Sequence, residues 1–214
     1  MRSVLTFDEL NRLGIERRSV PYKEWFSVID LPKARIDRRI ELAQRIEEAV
    51  LDWFYFVTVM MGDSGYFNTA TAANVLNVGL HEAVPGLEDG SYLDIWLRDL
   101  AQEITDSTQR HIADPYFLSV DRANVIAENE AHTIASREEY DTAVARGFKR
   151  KTWRGMMDNR ERATHVSSEG QTVPIDEDFA VGEASFFIAP RVPSEAGADP
   201  EEYVNCRCWA EYDD

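Results

Sequence analysis

An α+β fold is expected, a helical N-terminal part with a small mixed α/β C-terminal domain, and three observations predict it. Apolar residues recur every three or four positions along several stretches before residue 146, as they do on one face of a helix. Beyond Lys149 that period gives way to short β-branched or aromatic segments separated by Pro and Gly. The 214 residues, 44% of them apolar, suffice for one sizeable core or two modest ones. These readings divide the chain into a helical region, 1–115, and an α+β domain, 116–214, meeting near residues 112–120.

The elements follow in order. Thr6 and Glu9 form a capping box, and Gly14 closes the short helix behind it. Pro32 falls in the first turn of a long helix with apolar positions Ile36, Ile40, Ala43, Ile46, Val50, Trp53, Phe54 and Val57, ending near Gly62. Residues 63–90 are weakly patterned, with a short helix through Ala72–Leu80 and turns at Pro85-Gly86 and Asp89-Gly90. Ser91 and Asp94 cap the next helix, whose face carries Leu93, Trp96, Leu97, Leu100 and Ile104 as far as Arg110. Pro115 breaks it. A last long helix runs from Val120 to Ala145 and stops at Gly147; strands then follow at Gln171–Ile175, Ser185–Ile188 and Arg207–Tyr212.

Charge narrows the function classes. The formal net charge is −16, and it is uneven: ten basic against ten acidic residues in 1–60, five against fifteen in 61–148, six against two in 149–167, and two against twelve in 168–214. An acidic field repels phosphate backbones, so only the island Lys149–Arg162 offers a contact for DNA, with Lys149, Arg150, Lys151 and Arg154 as the contacting residues. No basic segment with a following apolar stretch opens the chain, which points to a product made in the cytoplasm. The most apolar run, Ala49–Met61, is shorter than the roughly 20 residues of a membrane span, and no membrane association is expected. Its aromatic stretch Trp53-Phe54-Tyr55-Phe56 covers more than one helix face, enough for a core and for part of a partner surface.

The chemistry-bearing residues cluster late in the chain. Trp153 is followed by Asp158, Arg160, Arg162 and His165, then Gly170, Pro174, Phe179 and Gly182, and finally Asn205-Cys206-Arg207-Cys208. This ordered series, with the upstream helix Arg122–Glu130, resembles the Mu F-like head morphogenesis proteins of tailed bacteriophages over about residues 120–212. Glu128 and Asn129 depart from it, standing where the family usually has Arg and Thr. The resemblance implies a minor structural protein of the virion, few in copies, inside the head near the portal vertex. Its partners would be the portal protein and components of the capsid or procapsid, and its role head assembly or DNA delivery. It implies no established catalytic activity.

Several chemistries fit the same residues. At helical spacing Asp158–Arg162 and Arg162–His165 would be side-chain neighbours, an ion-paired brace in which Asp158 receives an arginine and His165 bonds a backbone carbonyl. The same residues would serve a small nuclease-like enzyme, with His165 as acid/base and Arg160 or Arg162 as the charge stabiliser. Cys206 and Cys208, two apart, point to one face if they lie on a strand, and with His165 and Asp158 they would complete a zinc site. Packing on the last strand is the plainer use of the two thiols, and a disulfide in so small a ring is disfavoured. Trp153 is a core anchor or a stacking platform for a base. His81, His111 and His132, isolated in sequence, are expected at the surface or as caps, and Glu211–Asp214 as a solvated end.

Overall fold

A computed structural model describes residues 22–214, and within them the protein is α+β. The helix expected over Thr6–Gly14 lies outside the described residues. The chain forms two compact units: Asp37–Ala131 makes up the body of one, and Phe26–Ile36 with His132–Asp214 makes up the other. This partition differs from a division at residue 115. The helix Val120–Arg146 is continuous, and its residues from His132 onward belong with the strands.

The helical unit is built from amphipathic faces. After α1 (Tyr22–Ser27), α2 spans Lys33–Met61. Pro32 precedes α2 instead of occupying its first turn, and its carbonyl accepts from the Arg35 and Ile36 amides. Gly62, at φ +48, turns the chain out of the helix. Leu42, Ile46, Val50, Trp53 and Val57 are buried along one stripe, while Tyr55 is 74% exposed. Trp53 donates its indole N–H to the Ala72 carbonyl at 2.6 Å and meets Phe67 edge-on, so this aromatic fixes α3 (Thr69–Ala83) as well as α2. α3 is longer than Ala72–Leu80 because Asn68 caps it, Oδ1 accepting from the Thr71 amide at 2.9 Å.

Ser91 caps α4 (Tyr92–Arg110) as its spacing predicts, accepting from the Asp94 amide. The Asp94 carboxylate instead takes the Gly90 amide and His81 Nε2, the latter at 2.9 Å. A 3-10 turn at Pro115–Leu118 leads to α5 (Val120–Arg146). Arg122, on the first turn of α5, is buried. Its guanidinium donates to Thr108 Oγ1 and the Phe117 carbonyl and lies 4.6 Å from the Phe117 ring centre. Burial lowers its pKa to about 10.

The second unit holds two three-stranded antiparallel sheets. In the first, β1 (Arg150–Arg154) lies between β2 (Thr172–Pro174) and β6 (Trp209–Asp213), with Trp153 opposite Ala210. In the second, β4 (Ser185–Ala189) lies between β3 (Phe179–Val181) and β5 (Val192–Pro193). Trp153, Phe179, Val181, Phe187, Tyr203, Cys206 and Cys208 form the core, and the Trp153 ring meets Phe179 and Phe187 edge-on. The segment Phe26–Ile36 contributes Arg35, which donates to Glu139 at 2.8 Å and to the Ala210 carbonyl.

Two surface expectations change. His132 is wholly buried: its Nε2 lies 2.9 Å from the Cys208 carbonyl and its ring faces Phe26. The acidic end is a strand and not a free tail, with Asp213 pairing Arg150 and Glu211 pairing Arg154. Because Trp153 is 0% exposed at the centre of a small core, Trp153→Ala is expected to lose about 3–5 kcal/mol. Tyr55→Ala should change stability by no more than about 0.5 kcal/mol. Urea unfolding of both variants beside the wild type measures the contrast.

Candidate functional site

Three pieces of backbone bring the motif residues together. The turn 155–162 leaves β1 and delivers the chain to α6 (Ala163–Ser168), where His165 sits in the first turn. Residues 204–208 follow the short helix α7 (Pro200–Tyr203) and precede β6. Asn205 takes a left-handed conformation, φ +55, one that asparagine tolerates better than most residues. Cys206 and Cys208 therefore reach the site from a turn, not from a strand, yet both sulfurs face the same ring nitrogen.

His165 is 1% exposed. Its Nδ1 lies 3.6 Å from Cys206 Sγ and 3.3 Å from Cys208 Sγ, and the Cys208 amide donates to Cys206 Sγ at 3.3 Å. All three donor atoms fall within 4.8 Å of one another. The other ring nitrogen, Nε2, stands 3.0 Å from Glu202 Oε2, at ion-pair distance but without hydrogen-bond alignment. That oxygen is held by Thr164 Oγ1 at 2.8 Å. Cys208 Sγ also lies 3.3 Å from Glu161 Oε1. The Glu161 carboxylate accepts the Met156 and Met157 amides, and a β-carbon at Gly155 would run into it.

Electrostatics sort the two thiols. Burial opposes ionisation of Cys206, but the hydrogen bond from Cys208 and the charge of His165 outweigh it and hold the Cys206 pKa well below the ordinary thiol value. Burial likewise opposes the His165 cation, and the neighbouring Cys206 thiolate overrides it and raises the histidine pKa. Cys208 is pushed well up, by burial first and then by Cys206 and Glu161. Both cysteines are free thiols.

The expected helical brace takes a different form. Residues 158–162 are not helical, and Arg162 is the extended N-cap of α6, so Asp158 and Arg162 are not neighbours at helical spacing. Asp158 instead receives a two-pronged hydrogen bond from Arg207, 49 residues on, at 2.7 and 2.6 Å, with Arg160 Nε at 3.6 Å. Arg162 donates to the Val204 carbonyl at 2.6 Å. Asp158 is thus engaged away from the sulfurs, and Glu161 is the carboxylate that meets Cys208 Sγ. Nor does His165 bond a carbonyl; it faces two sulfurs and Glu202.

Among the described residues the other motif positions are structural. Gly170, at φ +75, donates its amide to the Trp153 carbonyl where the chain turns into β2. Trp153 is buried, so its face is closed to a nucleic-acid base. In the basic island, Lys151 is buried over the Tyr140 and Phe179 rings and donates to the Ile188 carbonyl, and burial lowers its pKa to about 8. Arg150 and Arg154 are paired with acids. The geometry can therefore brace the backbone and offer soft donors to a cation. It presents neither ring nitrogen of His165 to an open cleft.

Sequence reading missed Glu161 and Glu202. The available signal was Glu161 four residues ahead of His165, the spacing that puts two side chains side by side on a helix. Here the two meet at Cys208 Sγ, Glu161 from the turn and His165 from α6.

The Arg207 guanidinium, ahead of the opposing effect of burial, lowers the Asp158 pKa from 3.8 to about 2. A carboxylate depressed in the folded state contributes stability that is whole above pH 3.8 and fades as the pH falls toward 2. At about 1.4 kcal/mol per pH unit, discounted for solvent screening, the pair is worth about 1–2 kcal/mol. Asp158→Asn is expected to lose that amount at pH 7, and the gap to wild type should narrow below pH 4. Urea unfolding at a series of pH values reads it; a gap independent of pH would contradict the ion pair.

Comparison with known proteins adds identity to this geometry. The family described as Phage Mu protein F like protein matches residues 82–211, extending N-terminally past residue 120 to take in all of α4. The uncharacterized protein YqbB of Bacillus subtilis (strain 168) is 26% identical over 145 residues, covering 64% of this chain and 43% of YqbB. The chain thus spans less than half the length of that relative. No solved structure matches. With more than half of its length matched, the chain belongs to the Phage Mu protein F like family.

Proposed function

We propose that the protein is a minor structural component of a tailed-phage head, acting in head morphogenesis by docking at the portal vertex. The observation that carries this reading is the family match over residues 82–211. The site agrees with it: Trp153, His165, Cys206 and Cys208 are buried, and Asp158 and Arg207 are spent on each other. These are the marks of a fold-holding brace. A nuclease using His165 with Arg160 or Arg162 needs a histidine that a substrate can reach.

The docking surface is best sought on the helical unit. The middle of α5, from Glu128 to Ser136, is buried, so a partner could reach that helix only towards its two ends. The end of α2 differs. Tyr55 and Val59 are 74% and 62% exposed at positions four apart, hence neighbours on the helix surface, and Tyr66 beyond the helix end is 64% exposed. An exposed aromatic beside an exposed aliphatic residue, as in the Tyr55–Val59 pair, is the kind of feature that anchors interfaces. Among the described residues no helix is long and apolar enough to cross a membrane. DNA delivery is a second role of the same placement, and contact with packaged DNA would fall to the cations of the island left at the surface.

The test is co-expression with the portal protein of the same phage, followed by gradient sedimentation. The wild type is expected to travel with the portal assembly. Tyr55→Glu with Val59→Glu should keep its fold and lose co-sedimentation at least about tenfold, as when an interface anchor is removed. Failure of the folded wild type to associate with portal or procapsid would overturn the docking reading.

A further inference from the structure

We infer that Cys206 Sγ, Cys208 Sγ and His165 Nδ1, three donors already within 4.8 Å of one another, bind one zinc ion with the Glu161 carboxylate beside Cys208 drawn in as the fourth ligand, which staples the turn 155–162 and α6 to the turn 204–208. Four features carry this. The first is distance. For Zn–S near 2.3 Å and Zn–N or Zn–O near 2.0–2.2 Å, a tetrahedral site sets sulfur about 3.6 Å from each harder donor. The observed separations are 3.6 and 3.3 Å from the two sulfurs to Nδ1 and 3.3 Å from Cys208 Sγ to Glu161 Oε1.

The second is a receiving space. A void of about 10 Å³ is lined by Glu161, His165, Cys206, Arg207 and Cys208, among others, room for one water-sized body. A bare zinc ion is smaller than a water molecule.

The third is the outer shell. A zinc-binding histidine ordinarily has its second ring nitrogen oriented by a carboxylate. Glu202 stands 3.0 Å from Nε2 and is itself fixed by Thr164. The Cys208 amide donates to Cys206 Sγ, and the backbone carbonyls of both cysteines are tied, Cys206 to Arg191 at 3.2 Å and Cys208 to His132 at 2.9 Å. Gly155 leaves the space that lets the Glu161 carboxylate sit beside the sulfur.

The fourth is charge. Two thiolates and a carboxylate around a divalent ion leave one net negative charge, and the buried Arg191 guanidinium, which donates to the Cys206 carbonyl, supplies positive charge nearby. With Glu161 drawn in, all four positions come from protein. Such closure marks a structural site, since a catalytic zinc keeps one position open. Binding displaces the protons of the Cys208 thiol and the His165 ring to solvent and involves no change of oxidation state.

The experiment uses the full chain, purified without a histidine tag or chelator, with metal content read by elemental analysis. About one zinc per chain is expected, falling to near zero in Cys208→Ser. Because that variant could fail to fold, Glu202→Gln serves as the second: it touches no metal, should fold, and should weaken zinc binding about 10–100-fold, as loss of an outer-shell partner does. Cobalt(II) added to wild type stripped of metal should give the intense visible bands of a tetrahedral site and a thiolate charge-transfer band near the ultraviolet. A folded wild type that holds no zinc and shows no thiolate–cobalt band overturns the site. Zinc that binds equally well in Cys208→Ser overturns it too.

Discussion

The C-terminal unit depends on finding hydrogen-bond partners for backbone that belongs to no strand. Its strands are two to five residues long, and the turns 155–162 and 204–208 cross one side of the Trp153 core without ladder bonds of their own. Buried peptide groups left unpaired cost about as much as a lost hydrogen bond each, so such turns are stable only where side chains stand in for a sheet. Here they do. Glu161 takes two amides, Asp158 takes the Arg160 amide, and Arg162 and Arg191 serve the Val204 and Cys206 carbonyls. The Asp158–Arg207 pair then ties one turn to the other. The charged residues of the motif are, on this account, backbone substitutes first.

Much of the helical structure is legible because helices are local. The stripe through Ile46, Val50 and Val57, the Ser91 cap and the Gly62 and Gly147 stops are all decided within four residues of each position. Thr69–Ala83 was read short because its first turns, Thr-Ala-Thr-Ala-Ala, carry little amphipathic contrast, and Asn68, the residue that starts it, sits in a loop of ordinary appearance. β1 leaves no such local trace. Arg-Lys-Thr-Trp-Arg looks like a basic surface segment, and only the Tyr140 and Phe179 rings around Lys151 make it a buried strand.

The candidate site was legible as a set of residues but not as a set of contacts. The chemistry of their donors associates the cysteines with His165, and the structure places the three donor atoms within 4.8 Å of one another. Asp158 was placed with them because it is an acid nearby in sequence, whereas its partner Arg207 lies far along the chain and between the cysteines. An ion pair of that separation leaves no periodic trace. Charge counting misled in the same way: six cations within 149–167 suggest a positive patch, yet Arg150 and Arg154 face acids on β6, and Lys151 is inside. A local count of charge reports composition, and the field at the surface depends on what each cation meets.

The spacing of the motif follows from this arrangement. Trp153, the Asp158–His165 stretch, Gly170 and the Asn205–Cys208 turn are spread over more than fifty residues, since each serves a different crossing of one small core. Trp153 fills its centre, Gly170 supplies the reverse turn that lets β2 pair with β1, and Asn205 supplies the left-handed residue that aims both sulfurs at His165. None of these tasks passes to a substitute cheaply: a β-carbon at position 170 would strain the turn, and a β-branched residue at 205 would resist φ +55. A series held together by packing and turn geometry therefore identifies the fold more strongly than it identifies a reaction, and the assembly role must be sought on surfaces the motif does not touch.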